Sequence, residues 1–250
     1  MPPALAMHII AHAERRWGEL ELRMLPSLVR RDEAAVDVGA ADGVYSYFLT
    51  RLALECHSFE ANPSSASLIR RRVPRAHVHA CALSDHHGEL RLRTPVVTGI
   101  PYHGWATVEP ANTFAGLPPH EVVSVRVPCA TLDSFGLGEV GFLKIDVEGH
   151  ELEVLRGASR TLRSKRPNLL VEAEDRHRAG AVCQVHGFLA SFGYHGWFLD
   201  GGVLRPLGDV EDQSGGSSSA GRYINNYIFV SEDRYAADEA LQTLFGSATK

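Results

Sequence analysis

The segment FLKIDVEGHELEVLRGA, residues 142–158, concentrates side chains that can accept or donate protons. An apolar strand would end here in Lys144 and Asp146, which point to the same side of the strand, and Glu148 and His150 follow. A carboxylate or an imidazole at the carboxyl end of a strand can accept the proton of an attacking hydroxyl. Three of these residues, Asp146, Glu148 and His150, are candidate catalytic residues. A fourth candidate is Glu172, an acid at the end of a later strand. Asp146 and His150 are favoured as the base.

A second segment, VDVGAADGVYSY at residues 36–47, joins an apolar strand to a helix through a glycine-rich turn. Gly39 and Gly43 allow a sharp turn and a close approach of the backbone to a ligand. Asp37 lies within the apolar strand, where a carboxylate needs a partner. A ligand ammonium is one such partner, and capping of the following loop is the alternative role. Glu60 ends the next strand about twenty residues after the turn, where an acid binds both hydroxyls of a ribose in Rossmann-type folds. The turn and Glu60 together predict a cofactor that contains adenosine.

The run Gly39–Gly43 (GAADG) lacks the third glycine of a dinucleotide-binding turn. Asp42 within it would repel a pyrophosphate, but it suits a cofactor that carries an ammonium and a sulfonium. No tyrosine is followed four residues later by a lysine, as in short-chain reductases, and no G-x-S-x-G nucleophile motif is present. These features favour S-adenosylmethionine. The alternatives are a nicotinamide-dependent sugar oxidoreductase and a non-catalytic methyltransferase-like domain that only binds a partner.

Short apolar strands alternate with helices through most of the chain, which predicts a Rossmann-like α/β fold with a mostly parallel sheet covered by helices on both faces. The predicted core strands are residues 34–38, 56–60, 76–83, 140–146, 169–173, 194–199 and 223–230. The intervening helices include residues 62–72, capped by Asn62, and residues 149–162. Residues 1–32 would form an N-terminal helical segment, and residues 33–250 the main domain.

Residues 84–139 interrupt this alternation. Residues 89–93 (ELRLR) and 122–127 (VVSVRV) alternate apolar and polar side chains, which predicts an added antiparallel hairpin between the third and fourth core strands. Aromatic residues in the long loop between them suit the apolar faces of a sugar or macrocycle. The candidate acceptor-binding residues of this loop are Tyr102, His103 and Trp105. The Ser/Gly-rich stretch 214–221 is a candidate lid over the acceptor.

The composition limits the classes of partner. The 250 residues are 44% hydrophobic and carry a net charge of −5, which disfavours nucleic acid and leaves a small molecule or glycan as the expected acceptor. No apolar run approaches the roughly 20 residues of a membrane span, and residues 1–17 do not resemble a secretory signal, so we expect a cytoplasmic protein. The four cysteines form no C-x-x-C pair, and no metal site is expected. A divalent metal bound by the catalytic carboxylates remains the alternative to a protein base.

Several segments within residues 33–230 together resemble the FkbM-like family of S-adenosylmethionine-dependent methyltransferases. They are VDVGAADGVYSYF, FEANP, CALSDHHGEL, TLDSF followed by FLKIDVEGHELEVLRGA, and PNLLVEAE. The resemblance implies a seven-stranded sheet whose last strand runs antiparallel. It also implies S-adenosylmethionine as the cofactor and methyl transfer to a hydroxyl of a sugar, a glycolipid or a polyketide-type natural product.

The resemblance further implies a set of cofactor contacts. The methionine end of the cofactor would be held by Asp37, Gly39 and Gly43, and the ribose by Glu60. The adenine edge would lie beside Ser84 and Asp85, and the transferring methyl beside Asp146. The predicted cofactor-binding set is completed by Ala40, Asp42, Tyr45 and Ala61.

Overall fold

The computed structural model describes residues 1–208 and 223–246 of the chain. Within these ranges the strands are β1 Ala34–Val38, β2 Cys56–Phe59, β3 His77–His79, β4 Ala82–Leu83, β5 Gly88–Val97, β6 Ile100–Pro101, β7 Glu121–Ala130, β8 Val140–Ile145, β9 Asn168–Glu172, β10 Tyr194–Asp200, β11 Val203–Pro206 and β12 Asn226–Ser231. The helices are α1 Pro3–Trp17, α2 Leu25–Leu28, α3 Val44–Leu52, α4 Pro63–Arg72, α5 Glu151–Arg156, α6 Ser159–Lys165, α7 Ala181–Ala190, α8 Glu232–Ala237 and α9 Glu239–Phe245.

Eight of the strands form one sheet in the order β11-β10-β12-β9-β8-β1-β2-β3. The neighbours from β9 to β3 run parallel, whereas β12 is antiparallel to both β9 and β10. The predicted seven-stranded, mostly parallel sheet with an antiparallel last strand is therefore confirmed. The structure adds β11, which pairs with β10 at the sheet edge.

The two central strands, β1 and β8, are buried along their whole length, as expected of parallel strands covered on both faces. Their register pairs Asp37 with Lys144. Two charged side chains thus lie side by side at the centre of the sheet, close to the carboxyl ends of the strands. This edge of the sheet is where open α/β folds bind ligands.

The predicted third strand, residues 76–83, is divided between two sheets, so its prediction as one element is wrong. Residues His77–His79 extend the large sheet, and Ala82–Leu83 pair with β7 in a smaller sheet of order β4-β7-β5-β6. The predicted antiparallel hairpin is confirmed as β5 and β7, and each strand is longer than predicted. The division brings the added sheet against the ligand-binding edge of the large one.

Two helices show how local sequence sets helix ends. The Asn62 carboxamide oxygen accepts hydrogen bonds from the backbone N–H groups of Ser64 (2.9 Å) and Ser65 (3.5 Å), and α4 begins at Pro63, which confirms the predicted cap. The predicted helix 149–162 is instead two helices, α5 and α6, that meet at Gly157. A Cβ atom on Gly157 would lie 2.0 Å from the Ser84 carbonyl oxygen, so the backbone packs there without a side chain.

The N-terminal segment packs onto the main domain. Helix α1 contacts α3 and α4, and its Met7 and Ala11 side chains are fully buried. No helix in residues 1–208 and 223–246 is long and apolar enough to cross a bilayer. The candidate lid, residues 214–221, lies outside the described residues.

Candidate active site

A cavity opens at the carboxyl ends of β1, β2 and β8. Its lining includes four of the predicted cofactor-binding residues, Gly39, Glu60, Ala61 and Asp146. The added sheet closes one side of the cavity with apolar side chains, and the turn after β8 closes another. The other lining residues are Val38, Ala41, Phe59, Cys81, Ala82, Leu83, Leu92, His103, Gly104, Ala106, Val108, Val147 and Glu148.

Gly39 brings two strand ends into close contact. Its φ of +78° is a conformation that side-chain-bearing residues rarely adopt, and a Cβ atom would lie 1.7 Å from the Asp146 carbonyl oxygen. The Gly39 N–H donates to the Phe59 carbonyl at 2.9 Å, which ties the turn to β2. Glycine is therefore required here by packing against Asp146, independently of any ligand.

The Glu60 carboxylate connects the two sides of the cavity floor. One of its oxygens accepts a hydrogen bond from the Ala41 N–H at 2.8 Å, and the other accepts from the Asn62 N–H at 2.7 Å. Burial raises the pKa of Glu60 to about 7. Each carboxylate oxygen can accept more than one hydrogen bond, so Glu60 retains capacity for two hydroxyl donors.

Asp37 has a partner inside the protein. Its carboxylate accepts a hydrogen bond of 2.5 Å from the Ser46 hydroxyl on α3, and Ser46 also lies 2.7 Å from the Ser58 hydroxyl on β2. Asp37 is 1% exposed and does not line the cavity. Ser46 therefore gives Asp37 a partner without a ligand, and the contact with a ligand ammonium stays a prediction. In this structure Asp37 joins β1, α3 and β2 beneath the glycine turn.

Two further residues of the predicted cofactor-binding set, Asp42 and Tyr45, have partners outside the cavity. Asp42 is exposed and pairs with Arg72 on α4 at 3.2 Å. The Tyr45 hydroxyl donates to Glu19, in the segment that follows α1, and the Tyr45 ring lies 5.0 Å from the Lys144 ammonium. The predicted residues Ala40, Asp42, Gly43 and Tyr45 are absent from the cavity lining. Gly43 instead precedes α3 with a φ of +85°.

The residues predicted beside the adenine are displaced from the cavity. Ser84 is fully buried and its hydroxyl lies 3.0 Å from His150 Nε2, whereas Asp85 pairs with His86 at 2.8 Å on the surface. The hydrogen bond from His86 lowers the pKa of Asp85. The chain lines this part of the cavity with residues just before them, Cys81, Ala82 and Leu83, because β4 turns into the smaller sheet.

Lys144 is a fully buried ammonium between two acids. It lies 3.5 Å from the Asp146 carboxylate and 3.9 Å from that of Glu172, and it contacts the Asn226 side-chain oxygen at 3.4 Å. Burial lowers the pKa of Lys144, but the surrounding carboxylates, first that of Asp146, outweigh this effect and raise it. Burial also raises the pKa of Glu172, to about 10. Of these residues, Asp146 lines the cavity.

Glu148 lines the cavity in a constrained backbone conformation. Its φ is +58°, and its carbonyl oxygen accepts hydrogen bonds of 2.8 Å from both the Thr107 hydroxyl and the Asn112 carboxamide. Its carboxylate lies 3.0 Å from His177 Nε2. Burial raises the pKa of Glu148. Burial lowers the pKa of His177, but the nearby Glu148 carboxylate outweighs this effect and raises it. Non-glycine residues in such conformations concentrate at functional sites.

His150, a favoured base by sequence, does not line the cavity. Its Nε2 faces Ser84. Its Nδ1 has no hydrogen-bond partner among the described residues and lies 3.7 Å from Glu109 and 3.8 Å from Glu153. Burial lowers the pKa of His150. This histidine and its two acids have the spacing of a three-ligand metal site, yet Arg178 already contacts Glu153 at 2.8 Å. Glu109, His150 and Glu153 are not among the residues that line the cavity.

The aromatic loop residues separate into three positions. His103 lines the cavity and hydrogen-bonds to Asn62 at 2.9 Å, whereas Tyr102 is 43% exposed. Trp105 is half-buried against Arg176, whose guanidinium lies 4.6 Å from the Trp105 ring centroid. The same guanidinium pairs with Glu174 and lies 5.7 Å from the Tyr223 ring.

Sequence reasoning missed three residues of this region, Arg176, His177 and Tyr223. The first two follow the predicted strand in VEAEDRHR, where the charge pattern offered a signal. Tyr223 comes from the far side of the undescribed segment and reaches Glu174 with its hydroxyl at 2.5 Å. No spacing in the sequence connects these residues with Glu148.

Comparison with known proteins assigns the family. The family model of the methyltransferase FkbM domain matches residues 37–195, which is more than half of the chain. The structure of methyltransferase FkbM from Methylobacillus flagellatus KT aligns with a TM-score of 0.50 at 17% identity, over 79% of this chain and 43% of that one. This chain therefore spans less than half of the length of that relative. No curated protein matches.

Two further structures align with lower TM-scores. An S-adenosylmethionine-dependent methyltransferase from Aquifex aeolicus aligns with a TM-score of 0.43 at 10% identity, over 92% of this chain and 98% of that one. A putative methyltransferase from Streptococcus mutans, solved in complex with SAH, aligns with a TM-score of 0.42 at 10% identity and the same coverage. The family match over residues 37–195, with the sheet order described above, shows that the chain belongs to the FkbM family of S-adenosylmethionine-dependent methyltransferases.

Proposed function

We propose that this protein transfers the methyl group of S-adenosylmethionine to a hydroxyl of a small-molecule or glycan acceptor, of the sugar, glycolipid or polyketide class. The observation that carries the proposal is the position of two carboxylates, Asp146 and Glu148, in the lining of the cavity that also contains Gly39 and Glu60. An oxygen nucleophile needs a proton acceptor at such a position, because a neutral hydroxyl attacks weakly.

On the cofactor side, S-adenosylmethionine supplies an electrophilic methyl group on a positively charged sulfur. Glu60 would accept hydrogen bonds from the ribose hydroxyls with the capacity left by Ala41 and Asn62. The apolar residues Cys81–Leu83 would pack against the adenine. Asp146 would hold negative charge beside the sulfonium, and its backbone N–H is fixed to the Val38 carbonyl at 3.0 Å.

On the acceptor side, Asp146 is the first candidate for the base and Glu148 the second. Lys144 and the Gly39 turn fix Asp146, so its carboxylate can be aimed without movement. His177 would act as a positioning residue that orients the Glu148 carboxylate. Glu172, held by Lys144 and by Asn225 at 2.7 Å, would complete the polar floor.

The wall formed by Trp105, Arg176 and Tyr223 would receive the acceptor. An aromatic ring beside a guanidinium offers an apolar face together with hydrogen-bond donors, a combination that suits a polyhydroxylated ring. The Arg176 guanidinium lies over the Trp105 ring, which holds both in place.

The family match favours methyl transfer over the nicotinamide-dependent oxidoreductase considered above. A screen of glycosides and polyketides, with release of S-adenosylhomocysteine as the signal, tests the proposal. Release that depends on a hydroxyl-bearing acceptor supports it. Tight cofactor binding with no release from any acceptor class would favour the non-catalytic alternative, and methylation of amines or carbons alone would refute O-methylation.

A further inference from the structure

The outer side of α1 exposes large apolar side chains. Leu5 is 51% exposed and Ile9 is 54% exposed, and because they are one helical turn apart they form one stripe. Trp17 at the end of the helix is 78% exposed. Met7 and Ala11, on the opposite side, are fully buried, so the helix is anchored to the domain and the stripe faces solvent.

Exposed arginines without acidic partners lie on α1, on α3 and at the end of α4. In the part of the chain that the structure describes, none of the following has a carboxylate within 4 Å, and all are exposed: Arg15, Arg16, Arg51, Arg71 and Arg75. Arg16 lies two turns after Ile9 on the same side of α1. The whole chain carries a net charge of −5, so this concentration of uncompensated positive charge is local.

The arginines converge because α1 crosses α3 and the end of α4. A groove of about 340 Å³ between α1 and α3 contains His8, His12, Arg15 and Arg51 in its lining. A smaller adjoining groove contains Arg51 again, with Arg72 and Arg75 from the end of α4. The Arg51 guanidinium lies 3.5 Å from the Tyr47 ring centroid, which holds it at the junction of the two grooves.

We propose that this surface binds the headgroups of an anionic lipid membrane, with α1 lying along the membrane plane. We call it the α1 face and define it by Leu5, Ile9, Trp17, Arg15, Arg16, Arg51, Arg71 and Arg75. Interfacial helices combine an apolar stripe that enters the headgroup boundary with basic residues that attract anionic lipids. Tryptophan is favoured at the same depth, because its ring is apolar and its N–H is polar.

Charge complementarity alone would also fit nucleic acid, which carries phosphates. The exposed aliphatic stripe decides between them, because Leu5 and Ile9 gain nothing from a phosphate backbone but gain by burial among acyl chains. The α1 face shares no lining residue with the cofactor cavity. Membrane binding by this face therefore does not depend on the proposed reaction.

The test is flotation of the full chain with vesicles of phosphatidylcholine alone and vesicles containing about one third phosphatidylglycerol. We expect binding to the anionic vesicles, loss of binding at high salt, and a blue shift of the fluorescence that is absent in Trp17→Phe. Arg71→Glu with Arg75→Glu should weaken vesicle binding at least tenfold, since each basic residue near the surface contributes about fivefold. Leu5→Ser with Ile9→Ser should weaken it by a similar factor.

A matched control replaces exposed residues of the same types in the smaller sheet, Arg91→Glu with Val123→Ser. These should bind vesicles as the unaltered chain does, and all variants should retain S-adenosylmethionine affinity as evidence of folding. Failure to float with anionic vesicles would overturn the proposal. Equal loss in the control would also overturn it, and so would binding to a duplex or single-stranded oligonucleotide without binding to vesicles.

Discussion

The Nε2 atom of His177 lies 3.0 Å from a carboxylate oxygen of Glu148, and of the two residues Glu148 lines the cavity. Burial lowers the pKa of His177, but the contact with the Glu148 carboxylate outweighs this effect and raises it. Because Nε2 of His177 faces this carboxylate, we predict that His177 positions Glu148 rather than accepting the proton of the acceptor. This contact joins the segment that follows β9, which contains His177, to the turn that follows β8, which contains Glu148.

Replacing His177 with Asn should lower kcat by about tenfold to 100-fold, because the Glu148 carboxylate would lose its orientation. Loss of the neighbouring positive charge should also raise the pKa of Glu148 and move the acidic limb of the kcat/KM profile to higher pH. The pH profile of the variant is the measurement. A purely structural role would lower the amount of folded enzyme and leave the profile where it is.

Asp146→Asn should lower turnover by about 100-fold or more, with a much smaller loss of cofactor affinity, if Asp146 is the base. Single-turnover kinetics and calorimetry on the same preparation separate the two effects. If turnover holds and cofactor affinity falls instead, Asp146 is a binding residue and Glu148 becomes the leading base. Activity that survives a chelator would exclude the metal-assisted alternative.

Trp105→Ala should raise the KM for the acceptor severalfold and leave cofactor affinity unchanged, because Trp105 packs against Arg176 in the proposed acceptor wall and does not line the proposed cofactor cavity. Tyr102→Ala is the matched control from the same loop, since Tyr102 is exposed and outside the cavity. Steady-state kinetics with a fixed, saturating cofactor concentration decide the matter. If both substitutions raise the KM for the acceptor equally, or if neither changes it, the acceptor binds elsewhere.

Folding stability should decrease as pH rises from about 5 to about 8. Burial raises the pKa of Asp37 to about 6 and those of Glu60 and Glu151 to about 7, so the folded state retains protons that the unfolded chain has released. Where the folded state binds more protons, the free energy of unfolding falls with increasing pH. That stabilisation is complete below the unfolded pKa values and is lost as pH passes through the folded ones.

Melting temperatures across this pH range measure the effect, at about 2–4 °C for each kcal/mol. Glu151→Gln should make the dependence on pH shallower, because the amide oxygen still accepts the Gly149 N–H but does not ionise. A melting temperature that increases towards pH 8 would contradict the prediction.

The strands and the glycine turn could be predicted because their signals are local. β1 matches residues 34–38 exactly as its apolar run suggests, and α4 begins where Asn62 and Pro63 place it. The cavity residues Gly39 and Glu60 follow from the same local pattern, since both stand at the ends of adjacent parallel strands. Adjacent strand ends meet at one edge of the sheet regardless of the details of packing.

The directions of side chains could not be predicted in this way. His150 and Glu148 are two residues apart, yet one faces Ser84 and the other faces the cavity, because Glu148 adopts a positive φ that reverses the chain. The Ser46 partner of Asp37 lies on the next helix, and no local sequence pattern connects the two residues. Of the proposed acceptor wall, the sequence indicates Trp105 but not Arg176 or Tyr223, because only the tertiary fold brings these three residues together.

The most direct test of the account is calorimetric titration of the chain with S-adenosylmethionine and, separately, with NAD, together with Glu60→Ala and Glu60→Gln. We expect stoichiometric binding of S-adenosylmethionine and none of NAD. Glu60→Ala should lose about 2–3 kcal/mol of binding free energy, as for a charged hydrogen bond removed from a buried site, and Glu60→Gln should lose less. Binding of NAD, or an unchanged S-adenosylmethionine affinity in the folded Glu60→Ala variant, would contradict the account.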